Sequence, residues 1–177
     1  MIEGKYVKMR SLEIEDLPKL RDWRNSKSVR MATREYRLLN MINQKNWFEK
    51  THNENPPSSL MFGVINDKKK LIGVCGLTYI DWKNKHAELS LYLNLDNWQT
   101  SKEAKDTIIA LMKYGFEEIN LHRLWAEVFS IAKKNLSLIK KLGFVKEGIF
   151  REKLWREGKW WNSEIYSILS SEYKKKK

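Results

Sequence analysis

One cysteine, three histidines and three prolines are all that this chain of 177 residues carries of those types. No apolar run approaches the roughly 18 residues that a membrane-spanning helix needs, so no membrane partner is expected. A lone cysteine excludes an internal disulfide framework. Cys75 lies inside the apolar stretch 71–77, where a buried, inert thiol is expected rather than a nucleophile. His52, His86 and His122 have no metal-ligand spacing with one another or with Cys75, so no metal is expected. Acidic residues are also scarce: 22 Asp and Glu against 34 Lys and Arg leave a net charge of +12. That balance points to a phosphorylated or polyanionic partner, and nucleic acid stays open on it. The lysines at 174–177 supply a third of the charge and are expected to form a basic disordered tail. The single cysteine and the lack of a signal pattern lead to the expectation of a cytoplasmic protein.

What is present is pattern, enough for one domain at 1–173 that buries roughly 70% of its unfolded surface. Residues 5–10 alternate as a first strand, and a helix from about Ile14 tolerates Pro18 in its first turn. Residues 26–39 are basic and weakly periodic, which reads as a loop or irregular helix. A second helix over 41–51 ends at the break Asn53 to Ser59. Three strands follow at 60–65, 71–80 and 87–93, joined by turns near Asn66–Lys69 and Lys83–Lys85, as an antiparallel meander. A helix over 101–119 places Ala104, Ile108, Leu111, Met112, Gly115, Phe116 and Ile119 on one stripe. Then come a strand at 123–129, a helix at 133–142, and two extended segments at 144–154 and 161–169. The order β-α-α-β-β-β-α-β-α-β-β predicts an α/β fold with a mixed sheet.

The chain is organised around residues 91–104, where a strand runs through a short polar loop into the central helix. Thr100 and Glu103 have the spacing of a capping box. A helix start of this kind offers unpaired N–H groups and the positive end of the helix dipole to an anion. Alternation along the strand puts His86, Glu88, Ser90 and Tyr92 on one face.

The run Lys113 to Val128, the segment Leu138 to Gly148, and the closing Arg151-Glu152, Gly158-Lys159-Trp160 and Tyr166-Ser167 resemble the GNAT superfamily of N-acetyltransferases. The branch is that of ribosomal-protein N-terminal and amino-sugar acetyltransferases. The resemblance covers nearly the whole chain. It implies a mostly antiparallel central sheet with a splayed strand pair, and acetyl-CoA as co-substrate. It places the cofactor on backbone at Tyr92, Leu93 and Asn94 and on Gln99, Thr100, Ser101, Lys102, Glu103 and Ala104, which line up with a Gln/Arg-x-x-Gly-x-Gly/Ala motif. Lys102 stands where that motif has glycine, which implies a looser seat for the pyrophosphate unless the lysine contacts it. Ala132 stands where asparagine is frequent, and Asn135, one turn along, is the candidate contact to the pantetheine arm. Ile139 is aliphatic where many members carry a tyrosine.

The resemblance implies a carboxylate base, for which Glu88 is the candidate, with His86 as the alternative. Trp23, Arg24 and Asn25 resemble an acceptor-wall segment, which Trp155, Trp160 and Trp161 would complete. The basic residues Arg30, Arg34 and Arg37 favour an anionic acceptor over a polycation. The expected function is acetyl transfer to a primary amine of a small molecule, such as a nucleotide-linked amino sugar, or of a peptide N-terminus. A degenerate binding module of the same fold and a nucleic-acid- or ribosome-associated protein are the alternatives. Pairing into a homodimer through a sheet edge or the C-terminal hairpin stays open.

Overall fold

The structure, a computed structural model, describes residues 1–174. Eight strands form one sheet: β1 (Ile2–Glu3), β2 (Val7–Ser11), β3 (Leu60–Asn66), β4 (Leu71–Asp81), β5 (His86–Leu93), β6 (Arg123–Phe129), β7 (Val145–Arg156) and β8 (Lys159–Leu169). Their spatial order is β1-β2-β3-β4-β5-β6-β8-β7. Every pair is antiparallel except β5 and β6. The connection from β5 to β6 carries α4 (Lys102–Lys113), as a parallel crossover requires. The expected mixed, mostly antiparallel sheet is thus observed.

Helices cover both faces. On one, α4 and α5 (Lys133–Lys141) pack Ala104, Ile108, Leu111, Leu138 and Ile139 against Met9, Cys75, Leu77 and Leu93. On the other, α1 (Leu17–Asn25), α2 (Lys27–Ala32) and α3 (Met41–Asn53) enclose a smaller cluster of Leu17, Leu20, Val29, Val74 and Tyr92, with Trp23, Trp47 and Phe48 at its edge. The two clusters follow from strand alternation. Tyr92 and Val74 are cross-strand partners on one face, and Leu91 and Cys75 are partners on the other. Gly73 permits β5 to come close at this point, since a Cβ there would lie 2.4 Å from the Tyr92 carbonyl oxygen.

The segment 26–39 agrees with the expected loop or irregular helix, since only its first part is helical, as α2, capped by the Ser26 hydroxyl, which accepts from the Val29 N–H. Several boundaries differ from the sequence reading. The central helix is α-helical only to Lys113 and then widens into a π-helical turn at Tyr114–Glu118. Its cap is Ser101, which accepts from the Ala104 N–H at 3.0 Å. Thr100 belongs to the 3-10 turn Trp98–Thr100, and its hydroxyl donates to the Asn97 carbonyl. The expected Thr100–Glu103 capping box is therefore absent, because the preceding turn has claimed Thr100. Lys174 ends α6 (Ser170–Lys174), whereas residues 175–177 of the expected tail lie outside the described residues.

Candidate functional site

Pairing between β5 and β6 stops after three residues. The register runs His86 with Arg123, Ala87 with Leu124 and Glu88 with Trp125, and beyond that the strands part. A cleft of about 720 Å³ opens in the gap, lined by Glu88 to Leu91 on one side and Ala126 to Phe129 on the other. It reaches Ile108, Leu111 and Asn135 beneath α4 and α5, and Arg24, Trp47 and Glu54 beneath α1 and α3. The opening therefore passes through the sheet and joins its two faces.

The backbone of β5 turns a defined set of donors toward this gap. The Asn94 N–H donates to the Ile72 carbonyl of β4 at 2.7 Å, and Tyr92 is opposite Val74 in the same ladder. Antiparallel alternation directs the N–H groups of Asn94, Tyr92 and Ser90 toward β4, and those of Leu91 and Leu93 toward the splay. Of the expected backbone contacts at Tyr92, Leu93 and Asn94, only Leu93 has its N–H on the open side, and Leu91 joins it. The correction follows from the period of two.

At the start of α4, Ala104 is satisfied by Ser101, so Lys102 and Glu103 carry the unpaired N–H groups. Lys102 is exposed and its ammonium lies 4.6 Å from the centre of the Tyr6 ring, so it packs beside the helix rather than over its end. Glu103 does not reach back to a cap, and Gln99 is half-buried in the loop. The Lys134 ammonium of α5 contacts the Asn97 side chain, which brings a cation from 37 residues away to the loop before α4. Nothing in the sequence pattern marked Lys134. Asn135 Oδ1 is buried on the cleft without a hydrogen-bond partner, an arrangement that leaves a strong acceptor available to a ligand's N–H.

Glu88 is buried, with both oxygens bound by Arg34: Nη1 to Oε2 at 2.8 Å and Nη2 to Oε1 at 2.6 Å. Arg34 also donates to Glu127 Oε2, at 2.5 Å from Nη2 and 3.1 Å from Nε. Burial works against the Arg34 charge, yet Glu88 and Glu127 hold its pKa above the ordinary value. Burial likewise pushes the Glu127 carboxyl up, but hydrogen bonds from Lys153, Ser163 and Arg34 bring it below the usual range. Thr78 Oγ1 adds a longer contact to Glu88 Oε2 at 3.4 Å, so Glu88 is held as the partner of Arg34 and Thr78 in this arrangement. His86 is at the far end of β5, 3.6 Å from Asp81, and does not line the cleft. Glu127 and Arg34 were not singled out as a pair by sequence reasoning, since they lie 93 residues apart.

The expected acceptor wall divides. Arg24 lines the cleft, its guanidinium 5.9 Å from the Tyr92 ring centre. Trp23 packs at the edge of the smaller core, and Asn25 clamps the backbone of Leu39 through its amide, donating to the carbonyl and accepting from the N–H. Trp155 and Trp160 pack edge-to-face at 5.0 Å on the β7–β8 hairpin, and with Trp161 they lie off the cleft. Arg156 from that hairpin instead holds the carbonyls of Thr33 and Arg34. The argument for an anionic acceptor also loses its cations. Arg34 is matched by Glu88 and Glu127, Arg37 by Glu35, and Arg30 donates to the Asn25 carbonyl. The cleft as a whole carries Arg24, Arg34, Arg37 and Lys50 against Glu35, Glu54, Glu88 and Glu127, which cancel. Among the described residues no group of three or more His, Cys, Asp or Glu is placed to hold a metal.

Residues 9–165 match the family model described as an acetyltransferase (GNAT) domain. The uncharacterized N-acetyltransferase YoaA of Bacillus subtilis (strain 168) is 31% identical over 103 residues, 58% of each chain. The first three curated relatives are matched over 58%, 61% and 64% of their own lengths. The spermidine N(1)-acetyltransferase of Vibrio cholerae serotype O1 is 25% identical over 165 residues, 93% of this chain and 94% of that one. A crystal structure of the Vibrio cholerae spermidine N-acetyltransferase in complex with CoA and spermine superposes with a TM-score of 0.86 at 24% identity, covering 96% of this chain and 99% of that one.

Proposed function

The chain belongs to the GNAT acetyltransferase family, and from that premise we propose that it transfers an acetyl group from acetyl-CoA to the primary amine of a small acceptor. The observation that carries the reading is the cleft through the sheet, because it lets two substrates approach one point from opposite faces. Bound acetyl-CoA supplies the activated thioester. The N–H groups of Lys102 and Glu103, with Lys134 near them, suit its pyrophosphate, whose charge the helix end favours. The Leu91 and Leu93 N–H groups suit the pantetheine arm and the thioester carbonyl, and Asn135 Oδ1 suits an amide N–H of the same arm.

Transfer is direct between two bound substrates. Cys75 is fully buried and burial pushes its thiol well above the ordinary range, so it offers no thiolate to carry the acetyl group. The acceptor enters beneath α1 and α3, past Arg24, Trp47 and Glu54. Within primary amines, small di- and polyamines come first. The relative named for spermidine aligns over almost all of both chains, and two of the cleft's cations, Arg34 and Arg37, are already paired with carboxylates. Amino sugars and free peptide N-termini form the comparison set.

Calorimetric titration of acetyl-CoA, followed by thiol release with 1,4-diaminobutane, spermidine, an amino sugar and a short peptide, tests the reading. Saturable acetyl-CoA binding and intersecting initial-rate lines with an amine are expected. Failure to bind acetyl-CoA, or parallel lines, overturns it.

A further inference from the structure

The carboxylates of Glu88 and Glu127 meet at the apex of the splay, with side chains 6% and 2% exposed. Two anions so little exposed are tolerable only with a cation between them, and the guanidinium of Arg34 fills that place. It binds three carboxylate oxygens: both of Glu88 and Oε2 of Glu127. The Tyr79 ring covers it at 5.4 Å from the guanidinium carbon. Glu127 Oε1 is separately satisfied by Lys153 and Ser163, so it stays paired whether or not Arg34 is there.

We infer that Glu88, Glu127 and Tyr79 form a subsite for an ammonium group of the acceptor, and that the Arg34 side chain is the built-in competitor for it. An alkylammonium has three N–H donors, matching the three oxygens that Arg34 occupies, and the aromatic face completes a cation seat. The inference rests on the reading of the cleft as a transferase site and deepens it. Glu88 precedes Leu91 by three residues, so the backbone that carries the seat is about 10 Å along the strand from the first N–H directed into the gap. A nitrogen attacking a carbonyl held at Leu91 must come within about 3 Å of it, which leaves roughly 7 Å between that nitrogen and the seat. The seated ammonium is therefore a second, non-reacting one, and the acceptor class is a diamine or polyamine with a short alkyl spacer.

Arg34 can leave without moving its backbone. Arg156 holds the Thr33 and Arg34 carbonyls and Asn25 holds Leu39, so the strap stays in place while the side chain, already 41% exposed, turns to solvent. The apparent affinity for a diamine is then the intrinsic affinity reduced by the fraction of molecules with Arg34 out. Arg34 is in this sense a specificity-setting residue: it excludes cations too weak to displace it.

Calorimetry with CoA and then 1,4-diaminobutane, on the wild type, Arg34→Ala and Tyr79→Ala, reads these affinities without turnover. Arg34→Ala is expected to bind the diamine about tenfold or more tightly than wild type, with CoA affinity unchanged. Tyr79→Ala, at an exposed position whose loss the fold tolerates, is expected to weaken the diamine about threefold to tenfold. A folded Arg34→Ala that binds the diamine no better than wild type overturns the inference. Should Arg34→Ala not fold, Tyr79→Ala decides: unchanged affinity for the diamine overturns it. Loss of CoA binding in the wild type overturns the functional reading itself, and this inference with it.

Discussion

Replacing Asn135 with leucine separates a binding role from a structural one, because the two predict opposite changes in stability. Asn135 Oδ1 is buried on the cleft and lacks a partner. A buried acceptor left unsatisfied costs about 1–3 kcal/mol, whereas an apolar group of similar shape at the same place is neutral or stabilising. Position 135 is the third residue of α5, in its first turn, so helix propensity adds little to this change. The substitution should then raise stability by about 1 kcal/mol, which for a chain of this size moves Tm up by about 2–4 °C. The same change removes the acceptor proposed to meet the pantetheine arm. Loss of one such hydrogen bond weakens acetyl-CoA by about 1.4 kcal/mol, or tenfold in Kd. Scanning calorimetry of the ligand-free protein and titration of acetyl-CoA measure the two effects on one sample. A lower Tm together with an unchanged Kd refutes the reasoning, since it would mean that Asn135 supports the fold and touches no ligand.

Asp106 of α4 accepts the backbone N–H groups of Lys5, Tyr6 and Val7 at 3.0, 2.6 and 3.0 Å, and so ties the first turn of the sheet to the helix whose start is the proposed anion seat. Asp106→Asn turns an N–H₂ toward those donors and should cost about 2–4 kcal/mol in a urea titration, and a loss under about 1 kcal/mol would show that the tie is weak. Lys102→Gly should leave the Kd of acetyl-CoA within about threefold, because the Lys102 side chain packs on Tyr6 rather than over the helix end. A change beyond about tenfold would mean that the lysine either obstructs or grips the cofactor. Glu127 has a folded-state pKa below its unfolded one, so the unfolded chain binds more protons as the pH drops. Its stabilisation is whole above the unfolded value and is lost as pH falls through the folded value. Urea midpoints from pH 7 to pH 3 should therefore fall more steeply for the wild type than for Glu127→Gln, and equal slopes would contradict the pairing.

Much of the architecture was written in local pattern. The stripe from Ala104 to Ile119 marked a helix buried along one face, and Ala104, Ile108, Leu111, Met112 and Phe116 are indeed core residues. The turns near Asn66–Lys69 and Lys83–Lys85 join β3, β4 and β5 as the meander requires, with Lys69 and Lys85 in the left-handed region. Period-two alternation put Glu88 and Tyr92 on one face, where the structure has them. These features are legible because each depends on residues within one or two turns of one another. The cap of α4 shows the limit of that reasoning. Thr100 and Ser101 are both competent caps, and the choice fell to the 3-10 turn that ties Thr100 to Asn97.

The chain by itself thus determined the order of elements, the buried faces and the stretch where the proposed anion seat lies. Only the tertiary structure decided what that seat and the cleft beside it contain. Lys134 meets Asn97 across 37 residues, Arg34 meets Glu88 across 54 and Glu127 across 93, and Asp106 meets the first turn across about a hundred. No periodicity encodes such pairs, because a charge on a strand or loop has the same local pattern whatever it meets. Which carboxylate a given arginine reaches is set by the strand order, with β8 between β6 and β7, and by the loop after α2, whose residues 33–37 line the gap. Burial then gives the pairs of Glu88, Glu127 and Asp106 their strength, since only a charge removed from water is obliged to find a partner.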